Sequence, residues 1–423
     1  MTKCLLITLG VIGALLLPAS ALALEGRVTD AQNGRGIPDA LVTAGQNVVR
    51  TDARGEFRID AAGPILAARA PGYRRSEQAV TPELSGPLEI RLAPFRPKAL
   101  YLSFYGIGDR ALRQAAFDLL ERTELNALVI DVKGDSGMIP YKSAVALAGD
   151  VGAQRLTTVR DIRALVESLR RKGIYLIARI VVFKDDPLAV ARPELAVKIA
   201  GGTIWRDRER LAWVDPFRQE VWNYNLDIAS EAAAIGFDEI QFDYLRFPDA
   251  DGVIYSQAST EPNRVGAISG FLSAARKRLA PYNVFVAADI FGYVCWNLND
   301  TYIGQRLDAL APHLDYLSPM LYPSGFQYGI PGFRDPVAHV QEIVALSLKR
   351  AAERSGLQPL RFRPWLQAFR DYAFDRRQFA QTEIRQQILA AEAFGSDGWM
   401  LWNPHNNYSS AGLLDRAPTS VDQ

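Results

Sequence analysis

Two aspartates stand out by where they fall. Asp243 closes the run Gly236-Phe237-Asp238-Glu239-Ile240-Gln241-Phe242-Asp243, and Asp289 closes Val284-Phe285-Val286-Ala287-Ala288-Asp289. Each run is rich in apolar, strand-forming residues and ends in a carboxylate just before a loop. Side chains alternate along a strand, so Ile240 and Phe242 on one face leave Gln241 and Asp243 on the other. By the same rule Val284 and Val286 oppose Ala287 and Asp289. Adjacent strands lie about 4.8 Å apart, close to the ~5–5.5 Å that separates the carboxyl groups of retaining glycosidases. Two carboxyl groups so near cannot both ionise cheaply, so one pKa is pushed up and the titrations couple. The expected chemistry is glycosidic cleavage, with Asp243 as nucleophile and Asp289 as acid/base. The reverse assignment stays open, and retention is expected over inversion.

Other polar groups gather near the same strand ends. The run Val129-Ile130-Asp131-Val132-Lys133 places Asp131 and Lys133 on one inward face, either bonded to substrate hydroxyls or paired with each other. Arg179, late in the third strand, orients a catalytic carboxylate or forms an internal ion pair. Gln241 shares the inward face of Asp243, and Arg246 follows in the next loop. Aromatic residues crowd the predicted mouth: Tyr105, Trp205, Trp213, Tyr244, Trp296, Tyr322, Trp365 and Trp402. Flat rings pack well on the C–H faces of sugars. Tyr322, Trp365, Trp402 and Asn403 complete the expected substrate contacts, with His405 beside them. Asp315 begins the sixth strand, at the opposite end, and is set aside. The three histidines are scattered and Cys295 sits between apolar neighbours, so neither a metal site nor a cofactor is expected. The absence of a visible Ser/His pair or metal-ligand cluster weighs against acyl or phosphoryl chemistry.

These side chains need a scaffold of parallel strands. Strand-like segments recur eight times from Ala99: 99–105, 126–133, 174–182, 237–245, 283–289, 314–320, 361–367 and 398–403. Helical patterns lie between them, as at Val159–Lys172, Val265–Leu279 and Pro336–Arg354. The alternation predicts a (β/α)8 TIM barrel of the α/β class. A doubly wound sheet is the alternative, but Tyr105-Gly106-Ile107-Gly108-Asp109 lacks the third glycine of a dinucleotide fingerprint. Returns from helix to strand are tight, whereas loops after strands are long, notably about 183–216, 246–262 and 321–335. Barrel enzymes elaborate that face because their sites are built there.

The N-terminal part reads differently. Lys3, the apolar stretch Leu5 to Leu17 and Ala21-Leu22-Ala23 make residues 1–23 resemble a cleavable signal peptide, which implies a secreted or periplasmic protein. The apolar run is shorter than the ~20 residues of a membrane span, so no span is expected after cleavage. Cleavage removes Lys3 and no acid, taking the formal charge from +1 to about zero. That balance excludes the basic footprint of a nucleic-acid binder. Cys295 then remains alone, so no internal disulfide is possible. Oligomeric state is not readable. Residues 25–95 contain short strand-like runs, such as Gly55-Glu56-Phe57-Arg58-Ile59 and Leu88-Glu89-Ile90-Arg91-Leu92, between Gly, Pro, Asn and Asp turns. They predict a small all-β sandwich. The spacing of Gly26-Arg27-Val28-Thr29-Asp30, Ile37-Pro38-Asp39-Ala40-Leu41-Val42 and Ala70-Pro71-Gly72-Tyr73-Arg74 resembles the carboxypeptidase regulatory-like domain family. That resemblance implies an accessory module that spaces or adheres.

Residues 99–412 resemble the bacterial "putative glycosyl hydrolase" TIM-barrel domain family. The stretches that carry the resemblance are Thr123–Lys133, Phe242-Asp243-Tyr244-Leu245-Arg246-Phe247-Pro248, Ala288-Asp289-Ile290-Phe291-Gly292 and Ser318-Pro319-Met320-Leu321-Tyr322-Pro323. It implies a carbohydrate-active barrel with acids at Asp243 and Asp289, acting on a carbohydrate substrate. Chitinase-type barrels end the fourth strand with D-x-x-D-x-D-x-E, and the positions here are Asp238, Gln241, Asp243 and Leu245. The terminal glutamate is missing, which disfavours substrate-assisted chitin cleavage. Amylase-type barrels place an aspartate after strand four and a glutamate after strand five, where this chain has the shorter Asp289. The rival expectation is a polysaccharide-binding or envelope scaffold protein on a barrel that has lost catalysis.

Overall fold

The computed structural model describes residues 23–60, 63–80 and 87–416. Nearly all of the expected signal peptide, residues 1–22, lies outside the described residues.

The N-terminal module is a sandwich of two small sheets. In one, Ala23–Asp30 runs antiparallel to Glu56–Asp60 and parallel to Leu88–Leu92. In the other, four antiparallel strands follow the order Asn47–Arg50, Leu41–Ala44, Ile65–Arg69, Ser76–Ala79. Alternation drives the packing: Val28, Phe57, Ile59 and Ile90 meet Val42, Ala44, Leu66 and Ala68 in a closed apolar cluster.

From Lys98 onward the chain forms a closed barrel of eight parallel strands. In chain order these are Lys98–Leu102, Ala127–Lys133, Tyr175–Val181, Glu239–Asp243, Phe285–Phe291, Tyr316–Met320, Trp365–Gln367 and Trp399–Trp402. All eight predicted strands are present, within a few residues. The first stops early because Ser103 caps the helix Phe104–Gly108, its hydroxyl accepting the Gly106 N–H at 3.0 Å. The seventh starts late because Pro364 has no N–H for the ladder and a 3-10 turn occupies Pro359–Arg361. Helices alternate with the strands, and several ends follow their chemistry. Asp161 caps Ile162–Arg171, Thr260 caps Glu261–Leu279, and Gly236, with φ of 118°, ends Gln219–Ile235.

The apolar residues divide into two sets by strand face. One set, including Leu128, Ile130, Ile180, Ile240, Phe242, Val286 and Ile290, packs against the helices. The other, including Tyr101, Val129, Tyr175, Ile177, Ala287, Tyr316, Trp365 and Met400, fills the barrel interior. The assignment of Gln241, Asp243, Ala287 and Asp289 to the inward face follows from that division.

The module is bolted to the floor of the barrel, the face at the N-terminal ends of the strands. Three aspartates there receive arginines from the module or its linker: Arg75 to Asp238 at 3.0 Å, Arg69 to Asp315 at 3.6 Å and Arg96 to Asp397 at 3.4 Å. Asp397 also accepts the Gly72 N–H at 3.1 Å. These aspartates sit at the starts of the fourth, sixth and eighth strands. Setting Asp315 apart from the chemistry therefore agrees with its position.

Candidate active site

Asp243 and Asp289 lie at the C-terminal ends of neighbouring strands. The pairing runs Gln241↔Ala287 and Phe242↔Ala288, so the next step of the register sets Asp243 beside Asp289. Their surroundings are unlike. Asp243 Oδ2 accepts from Arg179 Nε at 2.9 Å and Nη2 at 2.6 Å, and its Oδ1 accepts from the Tyr244 N–H at 2.5 Å. Tyr244 adopts a left-handed φ of 46°, rare for a non-glycine residue, and this turn brings its amide back onto the carboxylate. Asp289 is 1% exposed. Its Oδ1 accepts from Trp365 Nε1 at 2.7 Å, and its Oδ2 is buried with no hydrogen-bond partner. Burial first, then the negative charge of Asp243, push the Asp289 carboxyl well above the usual carboxylate range, against the opposing pull of Arg179 and Trp365. A protonated carboxyl with a free oxygen, beside a carboxylate tied to a guanidinium, can give a proton on one side and an electron pair on the other.

Arg179 is the hub of this end of the barrel. Besides Asp243 it donates to Asp131 Oδ1 and to Asp135 Oδ1, both at 2.7 Å. Asp131 in turn accepts from the Tyr101 hydroxyl at 2.8 Å and the Phe104 N–H at 3.1 Å. Burial raises the Asp131 carboxyl to about 6, with Arg179 pulling the other way. Asp131 is 1% exposed and wholly engaged with protein groups. The guanidinium also lies 4.9 Å from the Trp402 ring centre, and Trp402 stacks on Tyr101 at 4.0 Å.

Lys133 does not join this group. The strand register shifts from Arg179↔Asp131 to Ile180↔Lys133, leaving Val132 as an extra residue, a β-bulge. The expected shared face is thereby broken. Lys133 is fully buried, and its ammonium donates to Asp185 at 2.6 Å and to Asn225 of helix Gln219–Ile235 at 2.8 Å. Asn403 is also spent on the fold: its amide donates to Ala368 O and Asn407 O, and its Oδ1 accepts from the His405 N–H. Gln241 is buried beneath the acid pair, donating to Ser318 Oγ at 3.0 Å, while its Oε1 has no partner. Arg246 sits over the Trp213 and Tyr244 rings at 4.9 and 5.3 Å. Tyr322 meets Phe369 edge-on at 5.6 Å. Trp365 serves Asp289 directly. Trp296 is drawn away, donating to Ser347 of the helix Val340–Ser355 at 2.9 Å.

Three contributors were not anticipated. Tyr101 lies on the inward face of the first strand, where alternation alone could have found it. Asp135, in the loop after the second strand, reaches back to Arg179. Gln305 lies in a long loop with no pattern to mark it. Its amide donates to Leu245 O at 3.2 Å and Asp289 O at 3.1 Å, and its Oε1 accepts the Phe291 N–H at 2.9 Å. It thus ties together the loops that follow both acids. Two cavities of about 220 and 390 Å³ lie elsewhere, at the module junction beside Arg74 and Asp238, and behind Asn403 and Tyr408. Among the described residues, no group of three His, Cys, Asp or Glu side chains is placed to hold a metal ion. No helix among them is long and apolar enough to cross a membrane.

Comparison with known proteins adds a family and a fold. The "Putative glycosyl hydrolase domain" family matches residues 99–408, and the "Carboxypeptidase regulatory-like domain" family matches residues 23–93. No curated protein matches the chain. Among solved structures, the PgaB (BpsB) glycoside hydrolase domain from Bordetella bronchiseptica is similar at 15% identity and a TM-score of 0.54, over 74% of this chain and 95% of that one. A hypothetical protein from Ruminiclostridium thermocellum is 37% identical over 45% of this chain and 96% of its own, with a TM-score of 0.41. A class V chitinase from Pseudomonas fluorescens Pf-5 is 13% identical over 75% of this chain and 96% of its own, with a TM-score of 0.43.

Proposed function

We propose that this chain, which belongs to the "Putative glycosyl hydrolase domain" family, cleaves glycosidic bonds of a poly- or oligosaccharide with Asp243 and Asp289. The observation that carries the reading is the contrast between the two acids. Asp289 is buried, raised in pKa and has one oxygen without a partner, while Asp243 beside it is paired with Arg179. Asp289 donates its proton to the leaving oxygen, and Asp243 attacks the anomeric carbon to form a glycosyl-enzyme. Asp289, now ionised, takes a proton from the water that releases the sugar. This ordering favours Asp289 over Asp243 as the acid and predicts retention of configuration. Trp402 and Tyr322 offer ring faces to the substrate near the acids. The leader-like residues 1–23 support work outside the cytoplasm, in the periplasm or medium, with the N-terminal module as an accessory.

A second reading, a barrel that binds polysaccharide without cutting it, draws on one observation. Asp243 is 7% exposed and Asp289 1%, and neither lines the two cavities described above. One experiment separates the readings. The mature protein, Asp243→Asn and Asp289→Asn are incubated with a panel of envelope and exopolysaccharides, and products are read by mass spectrometry. New oligosaccharides from the wild type, lost in both variants, are expected. Cleavage that persists in both variants would sink the assignment, and binding without products would favour the second reading.

A further inference from the structure

We infer that Phe291, Tyr293 and Tyr328 form an outer sugar-binding subsite, so that the barrel engages a glycan chain extending beyond the two sugars at the cleaved bond. The inference rests on the acid-pair reading for the position of that bond. Phe291 lies two residues beyond Asp289 in the fifth strand, so it shares the inward face and stands about 6.6 Å further out along the barrel axis. It is 39% exposed although every other residue of that strand is buried. Gln305 holds its amide and the Asp289 carbonyl together, which fixes the ring relative to the acid.

From Phe291 the aromatic surface runs outward. Its ring lies 5.9 Å from that of Tyr293, which lies 6.3 Å from that of Tyr328. Tyr328 is 90% exposed, the most open of the large hydrophobic side chains among the described residues. An exposed aromatic on a loose loop would mean little, but this loop is pinned. The Tyr293 hydroxyl accepts the Tyr328 N–H at 2.9 Å and donates to Gly329 O at 3.2 Å. Gly329 turns there with φ of 69°, where a Cβ would lie 2.4 Å from Phe333 O. Phe326 packs under Tyr293 at 5.0 Å. The backbone that carries Tyr328 is therefore held in place, and its ring stands open to solvent. Solvated aromatic faces with a phenolic edge suit a pyranose, which is apolar on its faces and hydroxylated at its rim. Near Asp243, by contrast, the Trp213 and Tyr244 rings have the Arg246 guanidinium over them, at 4.9 and 5.3 Å. The continuity of the aromatic line with Asp289 selects a glycan over an apolar peptide.

The test is affinity electrophoresis through gels that each carry one soluble polysaccharide: glycol chitin, peptidoglycan glycan strands and several exopolysaccharides. Wild type, Tyr328→Ala, Phe291→Ala and Tyr302→Ala are compared, the last altering another tyrosine, 72% exposed, outside the shelf. In the gel that retards the wild type, Tyr328→Ala and Phe291→Ala should bind about three- to tenfold more weakly, and Tyr302→Ala equally well. Equal retardation of all four, or no retardation of the wild type by any gel, would overturn the inference. Failure of the acid-pair reading shows separately, as cleavage that survives Asp289→Asn whatever the gels report.

Discussion

Replacing Trp365 by Phe tests the acid directly. The indole N–H meets Asp289 Oδ1 at 2.7 Å and is the one hydrogen bond its carboxyl receives among the described residues. A donor at that place favours the ionised form, so its loss must raise a pKa already lifted by burial and by Asp243. Hydrogen bonds to charged groups are worth about 1.5–3 kcal/mol, and one pKa unit corresponds to about 1.36 kcal/mol. The expected rise is therefore about 1–2 units, nearer the lower figure if water enters the space left by the smaller ring. A general acid works while protonated, so the alkaline limb of kcat/KM against pH should move up by that amount. The assay is initial cleavage rate across pH on whichever glycan the panel identifies. Trp365 also touches Trp402 at 5.4 Å and Tyr101 at 6.2 Å, so the variant will be less stable, but lost packing does not shift a titration limb upward. A limb that stays put or moves down would refute Asp289 as the acid.

Three further outcomes follow from the same geometry. Arg179→Met leaves Asp131, Asp135 and Asp243 without their shared counter-ion, and breaking a buried pair costs about 3–5 kcal/mol, so Tm should fall by about 5 °C; an unchanged melt would contradict the hub. Between the ordinary carboxylate range and about pH 6, native Asp131 holds a proton that the unfolded chain has released, so its contribution to stability falls as pH rises through that window. The Tm of Asp131→Asn should accordingly depend less on pH there than that of the wild type, and parallel curves would disprove it. Asp397 joins Gly72, Arg96 and Arg363, so calorimetry should show module and barrel melting together in the wild type and separating in Asp397→Ala; two transitions in the wild type would count against the clamp.

The barrel was legible because its strands are short apolar runs that alternate with helical patterns along the chain. Alternation then fixed the inward faces of Gln241, Asp243, Ala287 and Asp289, and with them the acid pair. What escaped depends on partners distant in sequence. The bulge at Val132, which separates Lys133 from Asp131, is a property of two strands in register and leaves no mark in either alone. Trp365 read as a sugar platform because an indole on an inward face suits either use; its N–H finds Asp289 76 residues away. Asn403 and Trp296 looked available for ligand, yet their polar atoms are consumed by nearby loop carbonyls and by Ser347. Gln305 carries no periodic signal at all. The module's docking was equally hidden, since Arg69, Arg75 and Arg96 look like ordinary surface cations until the barrel floor meets them.

The floor also bears on the chemistry at the mouth, and this supplies a test opposite in sign to that of Trp365. Glu239 points inward at the bottom of the fourth strand, pairs with Arg363 and accepts from the Tyr175 hydroxyl at 2.8 Å. It pairs in register with Phe285, four residues below Asp289 on the fifth strand, which puts its charge about 14 Å from that acid. At an effective dielectric of about 20, two unit charges at that distance interact by about 1 kcal/mol, just under one pKa unit. Its negative charge helps to keep Asp289 protonated. Glu239→Gln removes that charge and leaves Arg363 paired to Asp397 at 3.1 Å, so the field at Asp289 becomes more positive. The alkaline limb should then move down by up to about one unit, while Trp365→Phe moves it up. Both variants disturb the buried interior and both will melt earlier, so a general loss of structure predicts shifts of the same kind. Opposite shifts require one titrating group that feels both an indole donor above and a carboxylate below, and Asp289 is placed to feel both. Shifts of the same sign would mean that the limb belongs to another residue.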